Sequence, residues 1–485
     1  MRDDAGRSEA SLQSDVRTLL LAGGLNLEAD HLLVPELEAS AGAGRRIDVE
    51  IGFTVIETKR NLRRTGVRAE AEQQLERYLK QREESTGQRY VGILTDGVEW
   101  LLFYRPRTGG LEEVSRFVLS VAKPDVDELL LWLEGVLATG QEIKPSPSEL
   151  SRRLGAGSPT HDLELAELNA LWDSVSIKPE VLIKRELWAR LLTAALGTKF
   201  ENDDALFIEH TYLVASAKLI AHAVIGFNVA DSSHSPAALL AGHLFAQAQV
   251  GGVVDEDFFD WVLEAEGGPT FVRTLARRLA RFAWADVEHD VLKELYESVI
   301  DAPQRHKLGE YYTPDWLAEE TVSQVVDDPL TQRVLDPACG SGTFLFHAVR
   351  RFLDAAAAEG RNPGRAAMEV TALVTGVDLH PVAVTLARVT FLLAIGTERL
   401  THPDRGALSV PVYLGDSLLW RHENTLFSRG GVTIETSDHA ELLARELHFP
   451  WRVLADAGRF DQLVSALARI VHQRAWCDGL ASRGL

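Results

Sequence analysis

A chain of 485 residues is too long for one ordinary core and predicts about two to four domains. Its 46% hydrophobic and 25% charged residues are typical of a soluble globular protein, and a net charge of −21 excludes a protein that coats DNA non-specifically, because that mode needs a broad basic surface. Residues 44–89 nevertheless hold 11 Lys and Arg against 8 Asp and Glu, so phosphate contacts are expected in this window.

Cysteine usage and hydropathy favour a cytoplasmic protein. The two cysteines, Cys339 and Cys477, are far apart and form no Cys-x-x-Cys spacing, which disfavours a disulfide framework or a zinc site. The chain starts with a polar stretch that lacks an apolar signal core. Its most apolar run, Tyr212–Phe227, contains Lys218 and His222 and is short for a membrane span, so we predict a buried helix and no membrane partner.

The first part of the chain alternates helices and strands. A helix is predicted near Ser11–Leu21, a hairpin around Gly52, a second helix from about Arg68 to Glu84, and then a strand pair in residues 89–106. This order predicts a compact α/β domain over residues 1–125. Pro, Gly and Ser residues concentrated between 140 and 160 predict a linker, which we place at 126–160.

The remaining chain divides into two predicted domains. Residues 161–300 show helical periodicity almost throughout and predict a helical connector domain. From about His306, short β-rich runs alternate with helical segments, a pattern that predicts a parallel, doubly wound sheet in a last domain over 301–485.

The hairpin around Gly52 is predicted to bring charged side chains together. Gly52 suits the first position of a two-residue turn. With that turn, the register places Asp48 opposite Glu57, and Lys59 lies on the same face of the sheet. Two carboxylates and an ammonium can hold a hard divalent cation and position a water beside a phosphate. A solvated hairpin with an ordinary salt bridge is the alternative.

Asp48, eight intervening residues and then Glu57-Thr58-Lys59 resemble the PD-(D/E)xK motif of restriction-enzyme nuclease domains. The resemblance implies a restriction-endonuclease-like fold, catalytic roles for Asp48, Glu57 and Lys59, and Mg²⁺ held by Asp48 and Glu57. These domains act on double-stranded DNA, which is therefore the expected partner.

Two residues of the second predicted helix add to the resemblance to these nuclease domains. Gln74 and Tyr78 are similar to their Gln-x-x-x-Tyr element, so the resemblance implies a catalytic role for Gln74 as well. It also implies a glutamate on the first helix. Glu9 is the nearest candidate for this glutamate, and Glu36 is the other.

The stretch RVLDPACGSGTFLFHAV, residues 333–349, has the pattern of strand, turn and helix. Its small residues Gly340, Ser341 and Gly342 let the backbone approach a ligand beside unpaired amides at the helix start. DPACGSGTFL resembles motif I of adenine-specific DNA methyltransferases, which binds S-adenosylmethionine in a Rossmann-like domain. The cofactor-binding residues that this motif implies are Asp336, Ala338, Gly340, Gly342, Thr343 and Phe344.

Two further stretches are similar to motifs of the same methyltransferases. KLGEYYTPDWLAEETV resembles motif X and implies that Tyr312, Thr313 and Pro314 close over the methionine end of the cofactor. GVDLHPVAV resembles motif II, with Asp378 at a strand end where an acid can bind ribose hydroxyls. A third stretch, YLGDSLL, places Asp416 where it corresponds to the family residue that contacts the cofactor's adenine, and the resemblance implies the same role here.

His380 lies within the stretch that resembles motif II, at the turn that follows Asp378. We assign it to local turn packing rather than to catalysis.

One element of the methyltransferase family is not found in this sequence. The family holds a flipped adenine with (Asn/Asp/Ser)-Pro-Pro-aromatic, and none of the 18 prolines here is followed by another proline. We therefore expect a restriction-modification or phage-defence component that needs a second polypeptide carrying the catalytic motif and a target-recognition domain. The alternative is a non-catalytic regulatory or assembly subunit that binds S-adenosylmethionine.

Overall fold

The protein is represented by a computed structural model. It describes residues 8–25, 35–40, 46–139, 142–196, 203–254, 257–307, 310–417, 431–435, 446–450, 459 and 462–463. Among the helices of these ranges, none is long and apolar enough to cross a membrane.

The N-terminal part is a six-stranded sheet with helices on both faces. The strands lie side by side in chain order, and the pairing is antiparallel except between the third and fourth strands, which are parallel. Its elements are α1 (Glu9–Ala22), β1 (Glu36–Ser40), β2 (Arg46–Ile51), β3 (Thr54–Thr58), α2 (Val67–Thr86), β4 (Val91–Thr95), β5 (Glu99–Tyr104) and β6 (Glu112–Val118).

The predicted hairpin and its register are confirmed. Gly52 has a φ of 55°, which a residue with a side chain rarely adopts, and Ile51 pairs with Thr54. All five residues of β3 are buried. Ile56 packs in one core with α1, and Val55 packs in the other with α2, so the strand is covered on both faces.

Residues 126–160, predicted as a linker, contain α3 (Val126–Leu137), α4 (Pro147–Leu154) and the start of α5. The prediction of a loose segment is wrong because its Ser and Pro residues begin helices. Ser146 and Ser158 cap α4 and α5 through their hydroxyls, and a proline follows each of them. Helix α3 packs in the N-terminal core through Leu129 and Leu133.

The connector is helical, as predicted. Its elements are α5 (Pro159–Val175), α6 (Pro179–Leu196), α7 (Asp204–Val224), α8 (Pro236–Ala241), α9 (His243–Gln247), the short strand β7 (Val250–Gly251), α10 (Gly268–Leu279), α11 (Val291–Val299) and α12 (Ala302–Lys307). Helix α7 is buried on nearly all sides, as its apolar run predicts, and its Lys218 pairs with Asp257 at 2.6 Å.

The last part contains the predicted parallel sheet. Its elements are α13 (Asp315–Val325), β8 (Val334–Asp336), α14 (Thr343–Ala358), α15 (Pro363–Leu373), β9 (Val374–Asp378), α16 (Pro381–Ile395), α17 (Thr397–Leu400), β10 (Leu408–Ser409), β11 (Val412–Leu414), β12 (Gly431–Glu435) and β13 (Glu446–Pro450).

Three strands of this part form a parallel sheet in the order β11-β9-β8, β10 pairs with β7, and β12 pairs with β13. One continuous hydrophobic core joins this part to the connector, from Leu150 in α4 to Val412 in β11. The predicted boundary at residue 300 therefore falls inside a single core.

Candidate functional site

Three predicted acids come together at one edge of the parallel sheet. Asp336 and Asp378 are the last residues of β8 and β9, and Asp416 lies two residues beyond the end of β11. Because the strands are parallel neighbours with β9 in the middle, their carboxyl ends meet at the same edge. Ligands of such sheets bind in the crevice outside these ends.

The Gly-rich turn closes over the same edge and is bound to two of the acids. Gly340 N donates to Asp378 Oδ2 at 2.8 Å, and His380 N donates to Asp378 Oδ1 at 2.8 Å. Ala338 N donates to Asp336 Oδ1 at 3.2 Å, whereas Asp336 Oδ2 is buried without a hydrogen-bond partner. Burial, and then the charge of Asp378, raises the pKa of Asp336.

The three small residues of the turn have different roles. Gly340 (φ 53°) faces open space, since its nearest neighbour is a Tyr312 ring carbon 3.9 Å from where a Cβ would stand. At Gly342 (φ 98°) a Cβ would lie 3.1 Å from Ala387 Cα, so glycine is needed there for the packing of α14 on α16. Ser341 is buried. Of the three small residues, only Gly340 therefore leaves its backbone open, and its approach to a ligand stays a prediction.

A residue that the sequence analysis missed holds this turn. Asp290, fully buried at the start of α11, accepts hydrogen bonds from the hydroxyls of Ser341 (2.9 Å), Thr343 (2.8 Å) and Thr390 (3.2 Å), and from Lys293 N (3.1 Å). An aspartate before a helix indicates a cap. Its distant partners leave no signal in the sequence.

The predicted lid lies over the turn. Tyr312 packs beside Tyr296 with ring centroids 5.6 Å apart, next to Gly340. Thr313 O accepts from the buried Lys293 Nζ at 3.1 Å, and Pro314 precedes α13. Phe344 is partly buried against the core. His380 caps α16 by accepting from Ala383 N at 3.2 Å, which is the packing role that we assign to it.

Glu310, beside the lid, is a second residue that the sequence analysis missed. The Tyr296 hydroxyl donates to its Oε2 at 2.8 Å, and His380 Nε2 lies 3.4 Å from its Oε1. Burial raises the pKa of Glu310 to about 7; the Tyr296 bond lowers it and the charge of Asp378 raises it further. The crevice therefore contains a carboxyl that titrates near neutrality.

Replacing Glu310 by glutamine should stabilise the protein at pH 8 but not at pH 5. A carboxyl whose pKa is raised on folding binds protons more tightly in the folded chain, so the free energy of unfolding falls as pH rises from 4.5 to about 7 and stays reduced above it. Above pH 7 the charged Glu310 side chain therefore lowers the free energy of unfolding by up to about 3 kcal/mol. Urea unfolding of the wild type and of Glu310→Gln at pH 5 and pH 8 measures this difference in the free energy of unfolding. The exposed Glu320→Gln variant is the control, and an equal effect of Glu310→Gln at both pH values contradicts the prediction.

Asp48, Glu57 and Lys59 of the predicted nuclease site lie on adjacent strands, Asp48 within β2 and Glu57 and Lys59 at the end of β3. Asp48 Oδ2 accepts from Thr58 N at 2.8 Å and from Thr58 Oγ1 at 2.9 Å, and Asp48 Oδ1 accepts from Gln13 Nε2 at 2.6 Å. Lys59 Nζ donates to Glu57 Oε1 at 2.5 Å. Glu57 Oε2 is buried and has no hydrogen-bond partner.

Burial, followed by the charge of Asp48, raises the pKa of Glu57 to about 7, while Lys59 lowers it. Glu9 raises it too, which places the first-helix candidate within electrostatic range. Glu36 instead pairs with Glu50 across β1 and β2. Among the described residues no group of three or more His, Cys, Asp or Glu could hold a metal ion, so a cation here would rest on two carboxylates and water.

Gln74 lies on α2, and its Nε2 donates to the Tyr78 hydroxyl of the same helix at 2.9 Å. This hydrogen bond does not connect Gln74 to Asp48, Glu57 or Lys59. The catalytic role of Gln74 stays a prediction. Exposed Arg60, Arg63 and Arg64 lie within five residues after Lys59, and Arg63 pairs with Glu99, so the basic window offers guanidinium groups close in sequence to this centre. Arginine suits phosphate recognition through its planar fork of donors.

Comparison with known proteins gives a match for residues 287–404, to the family described as N-6 DNA Methylase. The chain is 28% identical over 155 residues to the "Type I restriction enzyme MjaVII methylase subunit" of Methanocaldococcus jannaschii, covering 31% of this chain and 23% of that protein. The MjaVIII methylase subunit of the same organism is 28% identical over 150 residues, covering 30% and 22%. These alignments span less than a quarter of the relatives.

Among solved structures, the DrdV-DNA complex matches with a TM-score of 0.32 and 14% identity, covering 84% of this chain and 38% of that one. The Type IIL restriction-modification enzyme MmeI in complex with DNA gives a TM-score of 0.27 and 16% identity, covering 58% and 41%.

The residues that match this family include most of those that form the crevice. They include Asp290, Glu310, the lid, the Gly-rich turn and Asp378, and they end before Asp416. The family that these residues match implies S-adenosylmethionine as the cofactor. Residues 287–404 are therefore an N-6 DNA methylase domain, of the adenine methyltransferase family that occurs in restriction-modification systems.

Proposed function

We propose that this chain is a cytoplasmic restriction-modification or phage-defence component that binds S-adenosylmethionine and double-stranded DNA and contains a Mg²⁺-dependent endonuclease centre. The observation that carries the proposal is the meeting of Asp336, Asp378 and Asp416 at one sheet edge, beneath a Gly-rich turn fixed by Asp290.

The crevice residues fit the cofactor chemically. Asp336 Oδ2 is buried and unpartnered, so it can accept a hydrogen bond from a cationic amino group. Gly340 leaves its backbone open to a ligand, and Tyr312 lies above it. We assign the ribose hydroxyls to Asp378 and the adenine edge to Asp416. The cofactor supplies an electrophilic methyl group when bound.

We further propose that methyl transfer needs residues outside these 485. The Asn-Pro-Pro-aromatic motif that would hold the target adenine does not occur in the sequence. A second polypeptide that carries this motif and a target-recognition domain is the arrangement we propose.

The test of cofactor binding is titration calorimetry with S-adenosylmethionine on Asp336→Asn. This variant keeps an acceptor for Ala338 N but loses the negative charge at Oδ2, so affinity should fall at least about 10-fold. Exposed Asp354→Asn, on α14, is the control. Unchanged affinity in Asp336→Asn would remove Asp336 from the cofactor site. Labelled methyl transfer to DNA by this chain alone would contradict the need for a second polypeptide.

For the N-terminal centre we propose Mg²⁺ coordination by Asp48 and Glu57, with Lys59 beside the attacking water. The unpartnered, buried Glu57 Oε2 supports this proposal, because a cation would satisfy it. Mg²⁺ is commonly bound through one or two carboxylates together with waters and phosphate oxygens. Gln74 and Glu9 are the proposed auxiliary residues.

A non-catalytic S-adenosylmethionine-binding subunit is the second candidate. It is favoured by one observation, the presence of the crevice residues without a Pro-Pro pair in the sequence. On this alternative, Asp336→Asn changes assembly with a partner and leaves methylation of host DNA unaffected. If Asp336→Asn reduces methylation, this candidate is excluded.

A further inference from the structure

A cavity of about 490 Å³ lies between the N-terminal sheet and the connector. The hairpin turn at 51–54 forms one wall, and residues from the end of α3, from α5 and from α10 form the others. Its volume is within the range of small-molecule sites, which occur preferentially between domains. Neither the S-adenosylmethionine crevice nor the Asp48–Glu57–Lys59 group contributes to its lining.

Buried polar atoms without hydrogen bonds line this cavity. Glu164 is 1% exposed, and neither of its carboxylate oxygens accepts a hydrogen bond, although Arg278 Nε lies 3.2 Å from Oε1. Thr139 Oγ1 and Arg89 Nη2 are also buried and unpartnered. Buried polar groups are normally paired. Three such groups around one cavity indicate a ligand that pairs with them.

The walls combine aromatic rings with guanidinium groups. The Arg89 guanidinium carbon lies 3.8 Å above the centroid of the Tyr104 ring, and that of Arg277 lies 5.2 Å from the centroid of Phe53. Four arginines and three glutamates line the cavity, and Arg89 pairs with Glu167, Arg278 with Glu164 and Arg281 with Glu134. Planar aromatic ligands stack on such rings, and the excess of one arginine over the glutamates of the lining favours an anionic group.

The backbone at the cavity adopts an uncommon conformation. Ala138 (φ 55°) and Glu142 (φ 50°) are two of three non-glycine residues with positive φ in the part of the chain that the structure describes, and both line the cavity. Left-handed conformations of this kind cost about 1–3 kcal/mol and cluster at ligand sites. Burial also raises the pKa of Glu164 to about 7, which is frequent at binding sites.

We propose that this cavity binds a purine mononucleotide, with the N–H edge of the base on Glu164 and the phosphate on the arginine side. A carboxylate accepts two parallel N–H donors. Guanine offers such a pair on one edge, whereas adenine offers one amino group, so guanine is favoured over adenine. The base stacks against Phe53, and an arginine fork binds the phosphate. The proposal is independent of the methylase and nuclease assignments.

Titration calorimetry of the full chain with GMP, AMP, CMP and inorganic phosphate tests this site. We expect saturable binding of GMP, weaker binding of AMP, and at least 10-fold weaker GMP binding by Glu164→Gln. Glutamine keeps the shape of the side chain but replaces one acceptor by a donor. Glu266→Gln, in an exposed pair with Arg107, is the matched control and should bind GMP as the wild type does.

Three results would overturn the proposal. They are the lack of saturable binding by any nucleotide at millimolar concentration, binding of phosphate as tight as that of GMP, and unchanged GMP affinity in Glu164→Gln. Circular dichroism of each variant establishes that it is folded. A GMP-dependent rise in melting temperature, present in the wild type and reduced in Glu164→Gln, gives a second readout.

Discussion

Asp290→Ala is expected to lower the free energy of unfolding by about 3–5 kcal/mol and to weaken S-adenosylmethionine binding at least 100-fold. The variant leaves the hydroxyls of Ser341, Thr343 and Thr390 and the Lys293 amide without their common acceptor inside the core. Each buried unpaired group costs about 1–3 kcal/mol. Because two of these donors belong to the Gly-rich turn and the helix after it, the turn should lose its shape.

Urea unfolding and titration calorimetry measure the two effects of Asp290→Ala. Asp354→Asn, exposed on α14, is the control and should change neither quantity. If Asp290→Ala does not fold, Thr390→Val removes a single partner, and a smaller loss of affinity is expected from it. Full affinity in a folded Asp290→Ala protein would show that the turn does not depend on this carboxylate.

Glu57→Gln is expected to abolish Mg²⁺-dependent DNA cleavage while leaving the protein as stable as the wild type at pH 8, or more stable. Glutamine removes a buried charge whose pKa is raised to about 7 mainly by burial, so its removal relieves a cost that is present above that pH. It also removes a proposed metal ligand. Since a metal contributes several kcal/mol to transition-state stabilisation, the rate should fall about 100-fold or more.

Plasmid cleavage with Mg²⁺, together with thermal unfolding of Glu57→Gln, checks both parts of this expectation. Glu112→Gln, exposed on β6 of the same sheet, serves as the control. Cleavage at the wild-type rate by a folded Glu57→Gln protein would mean that the carboxylate pair is a structural remnant. S-adenosylmethionine binding should be unchanged in both variants, because the crevice lies in another part of the molecule.

Local patterns in the sequence predict those parts of the fold that depend on neighbouring residues. The hairpin follows from Gly52 and the residues beside it, and its register places Asp48 near Glu57 without knowledge of the rest of the chain. The buried helix α7 follows from a run of apolar residues. The parallel sheet follows from the alternation of helices and strands, and it brings Asp336 and Asp378 to one edge.

Features that depend on distant contacts could not be predicted in this way. Asp290 acts on residues 51, 53 and 100 positions away along the chain. Glu310 stands inside a recognised motif, but its raised pKa results from burial, which the motif does not show. The linker prediction is wrong because Ser and Pro are frequent both in loose segments and at helix starts. Only packing distinguishes the two cases.

The packing of α3 and α4 into two different cores has a consequence for how such chains exchange parts by recombination. A breakpoint at residue 125 would remove Leu129 and Leu133 from the sheet that they cover, and one at residue 300 would cut through the core shared by α7 and α16. A breakpoint between α3 and α4 would keep α3 on the sheet, but it would separate that sheet from Leu163 of α5, which packs in the same core, and would cut the pairs of Glu134 with Arg153 and Arg281. Homologous genes that exchange the N-terminal part there would therefore have to match α5 and these two arginines as well.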